Sequence, residues 1–373
     1  MAAKTLKLSG QPRDMQSIQE AADTLNAGGL VAFPTETVYG IGCRAQRQAL
    51  SRLDKVKGRP ASKHYTLHIG RRNAYKEYAP AVTVRTEMLI RRAWPGPLSL
   101  VFELDAAALA QKKRHIDKQA FEALYKDHSI GIRCPDHPVA SRLLAMVDGP
   151  TVAPSANLAG RQPATDAQQV LAQLADSVDL VLDGGPCTYK KSSTVARIGP
   201  ANVEILREGV YSENQLREMA RVTFLFVCTG NTCRSPMAEG LFRKHLAEKV
   251  GCSVDELEKM GYKAISAGTM QMAGVPASAE AVVACERKGV DIRDHASQHL
   301  TQSLIEESDF VFCMTRSHLE HVLFLSPDAA DKCSLLAKDV DIPDPIGRPQ
   351  EYFDNCAGII ETAVRARVRE LRT

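Results

Sequence analysis

The stretch "VTFLFVCTGNTCRSPMAEG", residues 222–240, decides how this chain is read. Its apolar opening, Val222 to Val227, has no polar alternation, as expected for a strand buried on both faces of a parallel sheet. The run ends on Cys228, and Ser235-Pro236 then opens a helical pattern, with proline suited to the first turn. Between strand and helix lies a Cys-x5-Arg loop: Cys228, Thr229, Gly230, Asn231, Thr232, Cys233, Arg234 and Ser235. Backbone N–H groups at such a junction converge on an oxyanion, and the helix dipole adds to the field. The same field favours a thiolate at Cys228. Gly230 is expected to permit tight curvature, and Asn231 to accept left-handed backbone. Arg234 offers a planar fork that matches a phosphoryl group. Ser235 is expected to cap the helix and donate its hydroxyl to the sulfur. A nucleophile and its clamp therefore stand within seven positions.

Working outward, the segments after 222 alternate strand and helix: "TFLFVC", "PMAEGLFRKHLAEKV", "KAISAG", "SAEAVVACERKG" and "SDFVFCM", with a closing helix from about 354. That rhythm predicts a doubly wound parallel sheet. The chain before 211 has a different rhythm. Short runs such as "GLVAFP", "LSLVFEL", "SIGIRCP", "VDLVLDGG", "STVARI" and "VEILREG" alternate with helices, among them 16–27, which Gly28 stops. A twisted mixed sheet is expected there. The polar segment 211–221, "YSENQLREMAR", reads as a short connector, so the domains are 1–210 and 222–373. At 373 residues two cores are the natural expectation.

Composition narrows the class. The chain is 44% hydrophobic and 24% charged, with net charge +3, a bias suited to anionic small ligands. No apolar run approaches the roughly 18 residues of a membrane helix, and the first ten residues carry no signal-peptide core. Ten irregularly spaced cysteines, without a Cys-x-x-Cys pair, read as reduced thiols of a cytoplasmic protein with no resident metal. Cys233, within the loop, fits either a small buried residue or a thiol able to trap oxidised Cys228 as a disulfide.

A thiolate that attacks phosphorus needs a proton donor for the leaving group, and Asp344, held in "DIPDPIG" between two prolines, is the candidate. With "SAGT" (266–269), "DHASQHLT" (294–301) and "SDFVFCMT" (308–315), residues 222–373 resemble the low-molecular-weight protein-tyrosine-phosphatase family. The resemblance implies a phosphocysteine on Cys228, phosphoryl binding by Arg234 and acid–base work by Asp344. It makes Asn231, Ser266 and His295 supports of the loop. Ile346 stands where tyrosine-directed members carry an aromatic, and Thr232 where they carry isoleucine. "CTGNTCRSPMAE" is similar to the loop of protein-arginine phosphatases, which favours a phosphoarginine protein substrate and keeps phosphotyrosine as the alternative. Arsenate reductases share the loop but need a close redox cysteine pair, whereas Cys285, Cys313 and Cys333 are widely spaced.

The first 210 residues contain no Gly-x4-Gly-Lys-Ser/Thr loop. Cations on separate segments (Lys57, Arg59, Arg133 and Arg207) and small polar side chains (Thr35, Ser129, Ser155, Asn157, Thr165 and Ser193) indicate a polar, anion-binding cleft. "FPTETVYG" (33–40), "KGRP" (57–60), "SIGIRCPDHP" (129–138), "APSAN" (153–157) and "SSTV" (192–195), in this order, resemble the threonylcarbamoyl-AMP synthase family in its short form. The resemblance implies that L-threonine, bicarbonate and ATP, with Mg²⁺ and no tightly bound cofactor, form threonylcarbamoyl-AMP and pyrophosphate. It places threonine near Thr35, His68, Arg133, Ser155 and Ser193. ATP falls near Lys57, Arg59, Lys63, Ser129, Asn157, Thr165 and Arg207. Lys63 stands where the family has asparagine, so that contact would rest on charge. The product serves N6-threonylcarbamoylation of adenosine 37, with tRNA or tRNA-modification proteins as candidate partners. A non-catalytic RNA- or nucleotide-binding first domain is the rival reading.

Overall fold

The structure, a computed structural model, describes residues 3–10, 14–58, 65–199 and 202–373. The chain forms two compact units, Met1–Val82 with Leu89–Met219, and Thr83–Met88 with Ala220–Thr373.

The first unit is built on ten strands: β1 (Lys4–Lys7), β2 (Val31–Phe33), β3 (Gly40–Arg44), β4 (Thr66–His68), β5 (Leu98–Glu103), β6 (Ser129–Arg133), β7 (Thr151–Val152), β8 (Leu180–Asp183), β9 (Thr194–Ile198) and β10 (Val203–Arg207). They form one mixed sheet in the order β1-β8-β2-β3-β7-β4-β6-β5-β9-β10. The helix Asp14–Asn26 presents Ile18, Ala21, Ala22 and Leu25 to Val31, Phe33, Leu180 and Leu182. That 3.6-residue spacing is what the sequence displays. Gly28 follows with φ of 85°, a left-handed stop that L side chains resist. β1, β3, β4 and β7 escaped the sequence reading. β7 has only two residues and β4 three, too few to show a period. Within the expected connector, Glu213–Met219 is a helix that buries Leu216.

The second unit holds β11 (Val222–Cys228), β12 (Tyr262–Gly268), β13 (Phe310–Cys313) and β14 (Cys333–Leu335), all parallel, in the order β12-β11-β13-β14. Side chains of β11 alternate between two cores. Phe224, Phe226 and Cys228 pack with Met237, Phe242 and Ile360, and Leu225 and Val227 with Ile305, Val311 and Val322. Both faces are covered, which explains the unbroken apolar run. Helices span Arg234–Val250, Ala279–Glu286, Arg316–Leu325 and Gln350–Glu370. The last begins four residues before its expected start, because Pro349 at the cap cannot donate and the chain turns helical immediately behind it. Among the described residues no helix is long and apolar enough to cross a membrane.

Candidate active sites

In the second unit the loop between β11 and the helix Arg234–Val250 holds Cys228 at its base. The Asn231 N–H donates to Cys228 Sγ at 3.3 Å. Ser235 Oγ stands 2.9 Å from the sulfur and accepts from Asn231 Nδ2 at 2.8 Å, so the one hydroxyl proton of Ser235 is directed to Cys228. Asn231 is left-handed, with φ of 55°, as expected. Its side chain ties the loop down: Nδ2 also donates to Ser266 Oγ (2.9 Å), and Oδ1 accepts from the Gln298 N–H (2.8 Å). His295 Nε2 lies 2.7 Å from the Asn231 carbonyl and therefore donates to it. Ser266 donates in turn to Glu239 at 2.7 Å, and burial raises the Glu239 carboxyl above its ordinary range. Glu239 was not singled out in the sequence, where "MAEG" reads as an ordinary amphipathic turn.

Two expectations for the loop are corrected. Gly230 has no left-handed backbone, and a Cβ there would meet only ordinary contacts at 3.6 and 3.7 Å. The tight position is Gly268 at the end of β12, where a Cβ would stand 2.7 Å from the Thr229 carbonyl and 3.0 Å from Asn231 N. Ser235 is not the cap either. Cys233 occupies that place without a side-chain cap bond, and Ser235 lies inside the helix facing the sulfur.

Arg234 is 96% buried and donates from Nη1 to the Ile342 carbonyl (3.2 Å) and from Nη2 to Thr229 Oγ1 (3.2 Å). Nη2 also pairs with Asp344, whose carboxylate is half-exposed and accepts from the Ile346 N–H at 3.2 Å. The loop thus brings acid, clamp and thiol together across 116 residues of chain. Thr232, half-buried, meets the Cys233 thiol at 3.7 Å, and among the described residues its hydroxyl has no nitrogen or oxygen partner. Burial raises the Cys233 thiol above its usual range, and the Cys285 and Cys356 thiols to about 12, which leaves those three protonated at neutral pH.

In the first unit a cavity of about 340 Å³ is lined by Thr35, His68, Arg133, Ser155 and Ser193, all five residues expected at the amino acid. Lys57, Asn157 and Arg207 line it too. Sheet register explains the convergence. His68 of β4 and Ser99 of β5 both flank Arg133 of β6 in register, and Leu98 pairs with Thr194, the residue after Ser193. Neighbouring strands are ~4.8 Å apart, so residues far apart in the chain, such as His68 and Arg133 or Leu98 and Thr194, become adjacent. Ser129 sits at the far end of β6, opposite Glu103 and ~13 Å along the strand from Arg133 at ~3.3 Å per residue. Its hydroxyl donates to the Lys126 carbonyl, and it does not line the cavity. Thr165 is likewise outside the lining and bonds Gln169. Arg59 and Lys63 lie outside the described residues.

Arg133 is buried and donates from Nη2 to Glu36 Oε1 (2.8 Å) and Thr37 Oγ1 (2.6 Å), while its Nε is buried with no partner among the described residues. Glu36 was missed. Its signal is a lone acid inside the otherwise apolar or small "GLVAFPTETVYGIG", because a buried carboxylate requires a counter-charge. His68 Nδ1 donates to the Thr66 carbonyl at 3.0 Å, which leaves Nε2 as an acceptor. Burial, then the Arg133 charge, pushes His68 down to about 3, so it is neutral. Lys57 donates to the carbonyls of Ser155 and Asn157, both at 2.6 Å, and to Asn157 Oδ1 at 3.0 Å. Arg207 donates to Ser193 O (2.7 Å) and Oγ (3.1 Å). The cavity therefore presents cations, hydroxyls and a neutral imidazole to a polar anion.

Comparison with known proteins agrees with this division. The family model for Sua5, YciO and YrdC, described as Telomere recombination, matches residues 23–209, half of the chain. The model described as Low molecular weight phosphotyrosine protein phosphatase matches residues 223–373. A threonylcarbamoyl-AMP synthase of Pyrococcus abyssi is 33% identical over 193 residues, 52% of this chain and 54% of that protein. The chain thus spans about half the length of that relative. A crystal structure of P. abyssi Sua5 complexed with L-threonine shares the fold, with TM-score 0.50 and 22% identity, covering 72% of this chain and 84% of that one. The YwlE arginine phosphatase from Geobacillus stearothermophilus is 32% identical, covers 40% of this chain and 92% of its own, and has a TM-score of 0.35.

Proposed function

From the premise that this chain belongs to the Sua5/YrdC family and carries a low-molecular-weight phosphatase domain behind that region, we propose that it is a bifunctional enzyme. The first activity forms threonylcarbamoyl-AMP. The threonine amine condenses with bicarbonate to a carbamate, releasing water, and the carbamate oxygen attacks the α-phosphorus of ATP and expels pyrophosphate. The observation that carries this reading is the cavity that gathers Lys57, Arg133 and Arg207 with Thr35, Ser155 and Ser193. Arg133, lining the cavity beside a neutral His68, suits a carboxylate, and the hydroxyls suit the remaining polar groups. ATP is a substrate here, with Mg²⁺ carried on its phosphates. A carboxylate-poor cavity is suited to that arrangement. Pyrophosphate release that depends on both threonine and bicarbonate is the expected result; release independent of either overturns the assignment. The resemblance to threonylcarbamoyl-AMP synthases implies tRNA modification as the use of this product.

The second activity hydrolyses phosphoprotein. Cys228 attacks phosphorus, Arg234 binds the equatorial oxygens, and Asp344, released from Arg234, takes up a proton from solvent and passes it to the departing group. Water then attacks the phosphocysteine, returning its proton to Asp344 and releasing phosphate. We favour phosphoarginine as substrate because the Thr232 hydroxyl is unspent and faces no stronger protein partner than a thiol. Ile346, 65% exposed, supplies no ring for a tyrosyl group. Phosphate release from matched phosphoarginine and phosphotyrosine peptides tests this. Preference for phosphoarginine that Thr232→Ile abolishes is expected; preference for phosphotyrosine in the unaltered protein rejects it.

A further inference from the structure

We propose that His318 is a positioning residue of the phosphatase site, holding Arg234 in place through the hydroxyl of Thr229. The inference rests on the phosphatase reading of this unit and adds a residue to it. His318 opens the helix Arg316–Leu325, far in sequence from the loop, and is 94% buried. Its Nε2 lies 2.9 Å from Thr229 Oγ1, and its Nδ1 2.8 Å from Thr315 Oγ1. A guanidinium only donates, so Thr229 Oγ1 accepts from Arg234 Nη2. The chain of contacts therefore runs Thr315, His318, Thr229, Arg234, and both ring nitrogens of His318 are engaged in it.

Burial, followed by the charge of Arg234, pushes His318 down to about 4, so the ring is neutral over the working range of pH. A neutral ring closes the chain in either tautomer. One nitrogen donates to a threonine hydroxyl, and the other accepts from the second threonine. A protonated ring would donate from both nitrogens and set a second cation beside Arg234. The neutral ring thus serves both threonines without adding a second cation beside Arg234.

The consequence concerns the moment at which substrate arrives. Arg234 Nη2 has two anchors, Thr229 and Asp344. Asp344 must release the guanidinium to reach the leaving group. From then on Nη2 is held on the protein side by Thr229 alone, and Nη1 by the Ile342 carbonyl. A hydroxyl free to rotate is a weak post. The imidazole fixes its rotor and thereby the plane of the fork that meets the phosphoryl oxygens. Misplacement by a fraction of an ångström at such a clamp is expensive in rate.

The test compares His318→Ala, His318→Gln and His318→Asn in the full chain, assayed with para-nitrophenyl phosphate and by calorimetric titration with inorganic phosphate. Glutamine places its amide near the position of Nε2 and can still bond Thr229. Asparagine reaches only to the position of Nδ1. His318→Ala and His318→Asn are expected to lower kcat/KM about 10-fold and to weaken phosphate binding several-fold. His318→Gln should recover to within about threefold. Thr229→Val should resemble His318→Ala, and the double variant should lose no more than either single one. Equal losses in the glutamine and asparagine variants, or additive losses with Thr229→Val, would show a merely structural His318 and overturn the proposal. Wild-type protein no more active than Cys228→Ser would remove the phosphatase reading instead. The phosphate affinities of the same variants then decide the role of His318 by themselves: an unchanged affinity in His318→Ala overturns it.

Discussion

The two sites of this chain are built in opposite ways. In the second unit the nucleophile, its hydroxyl partner and the clamp arrive within eight consecutive residues, folded over the end of one strand. In the first unit Thr35, His68, Arg133, Ser193 and Arg207 come from segments spread over more than 170 positions, and sheet register, with the loops behind β2 and before β9, brings them together. Their charges are also handled differently. Arg234 is paired with a half-exposed acid that is able to leave, whereas Arg133 is paired with Glu36, itself as buried as the arginine. A contiguous site is carried by its backbone and depends on the few distant residues that pin or press on that loop. A dispersed site depends on every strand that contributes to it.

Four measurements can break or sharpen this contrast. Cys228→Ser should abolish phosphate-ester hydrolysis, by at least ~10³-fold in kcat, since no other group supplies the nucleophile. It should leave threonine-dependent pyrophosphate release unchanged, and a parallel fall in both would contradict two self-contained sites. Next, Glu36→Gln should leave the buried Arg133 without its counter-charge. The first unit should then lose ~3 kcal/mol of stability, read by denaturant unfolding, because breaking one half of a buried pair exposes its full desolvation cost. An effect below ~1 kcal/mol would show that the pair is dispensable.

A smaller effect is expected from Gly268→Ala. The added methyl would press on the Thr229 carbonyl and Asn231 N–H, and kcat/KM of the phosphatase should fall about 10-fold while Gly230→Ala changes it little. The reverse ranking would restore Gly230 as the tight point. The last test is pH. His68 titrates near 6.5 when unfolded and near 3 when folded, so between these values the unfolded chain binds the extra proton. Stability of the first unit should therefore be complete above about pH 6.5 and decline as pH falls towards 3, at up to ~1.4 kcal/mol per pH unit from this group. In the second unit His318 acts in the same direction, but only down to about 4. His68→Gln should flatten the first slope and leave the second alone, as followed by unfolding at stepped pH.

Legibility followed the same division. The loop from Cys228 to Ser235 could be read because its chemistry and its spacing are local, and the structure keeps Asn231 left-handed and Ser235 on the sulfur. What failed there was the steric detail. Nothing in "CTGNTC" says that a glycine 40 residues away, rather than Gly230, is the one pressed against the loop. In the first unit the motif strings supplied most of the polar cavity-lining residues, yet Ser129, expected at ATP, stands at the opposite end of its strand from Arg133 and does not line the cavity. Glu36 passed unnoticed because an acid declares its partner only after burial is known.

The sequence by itself determined the two-part plan, the apolar strand that feeds the thiol loop, and the types of side chain each site would use. These follow from period, turn chemistry and short-range spacing, which are properties of the chain alone. The order of ten strands, the row formed by His68, Arg133 and Ser99, the Glu36–Arg133 pair and the link from His318 to Arg234 were decided only by the tertiary structure. Each of these is a contact between residues far apart in the chain. Such contacts are fixed by which faces must leave water together and by which buried polar groups must find partners, and no local window of sequence contains that information.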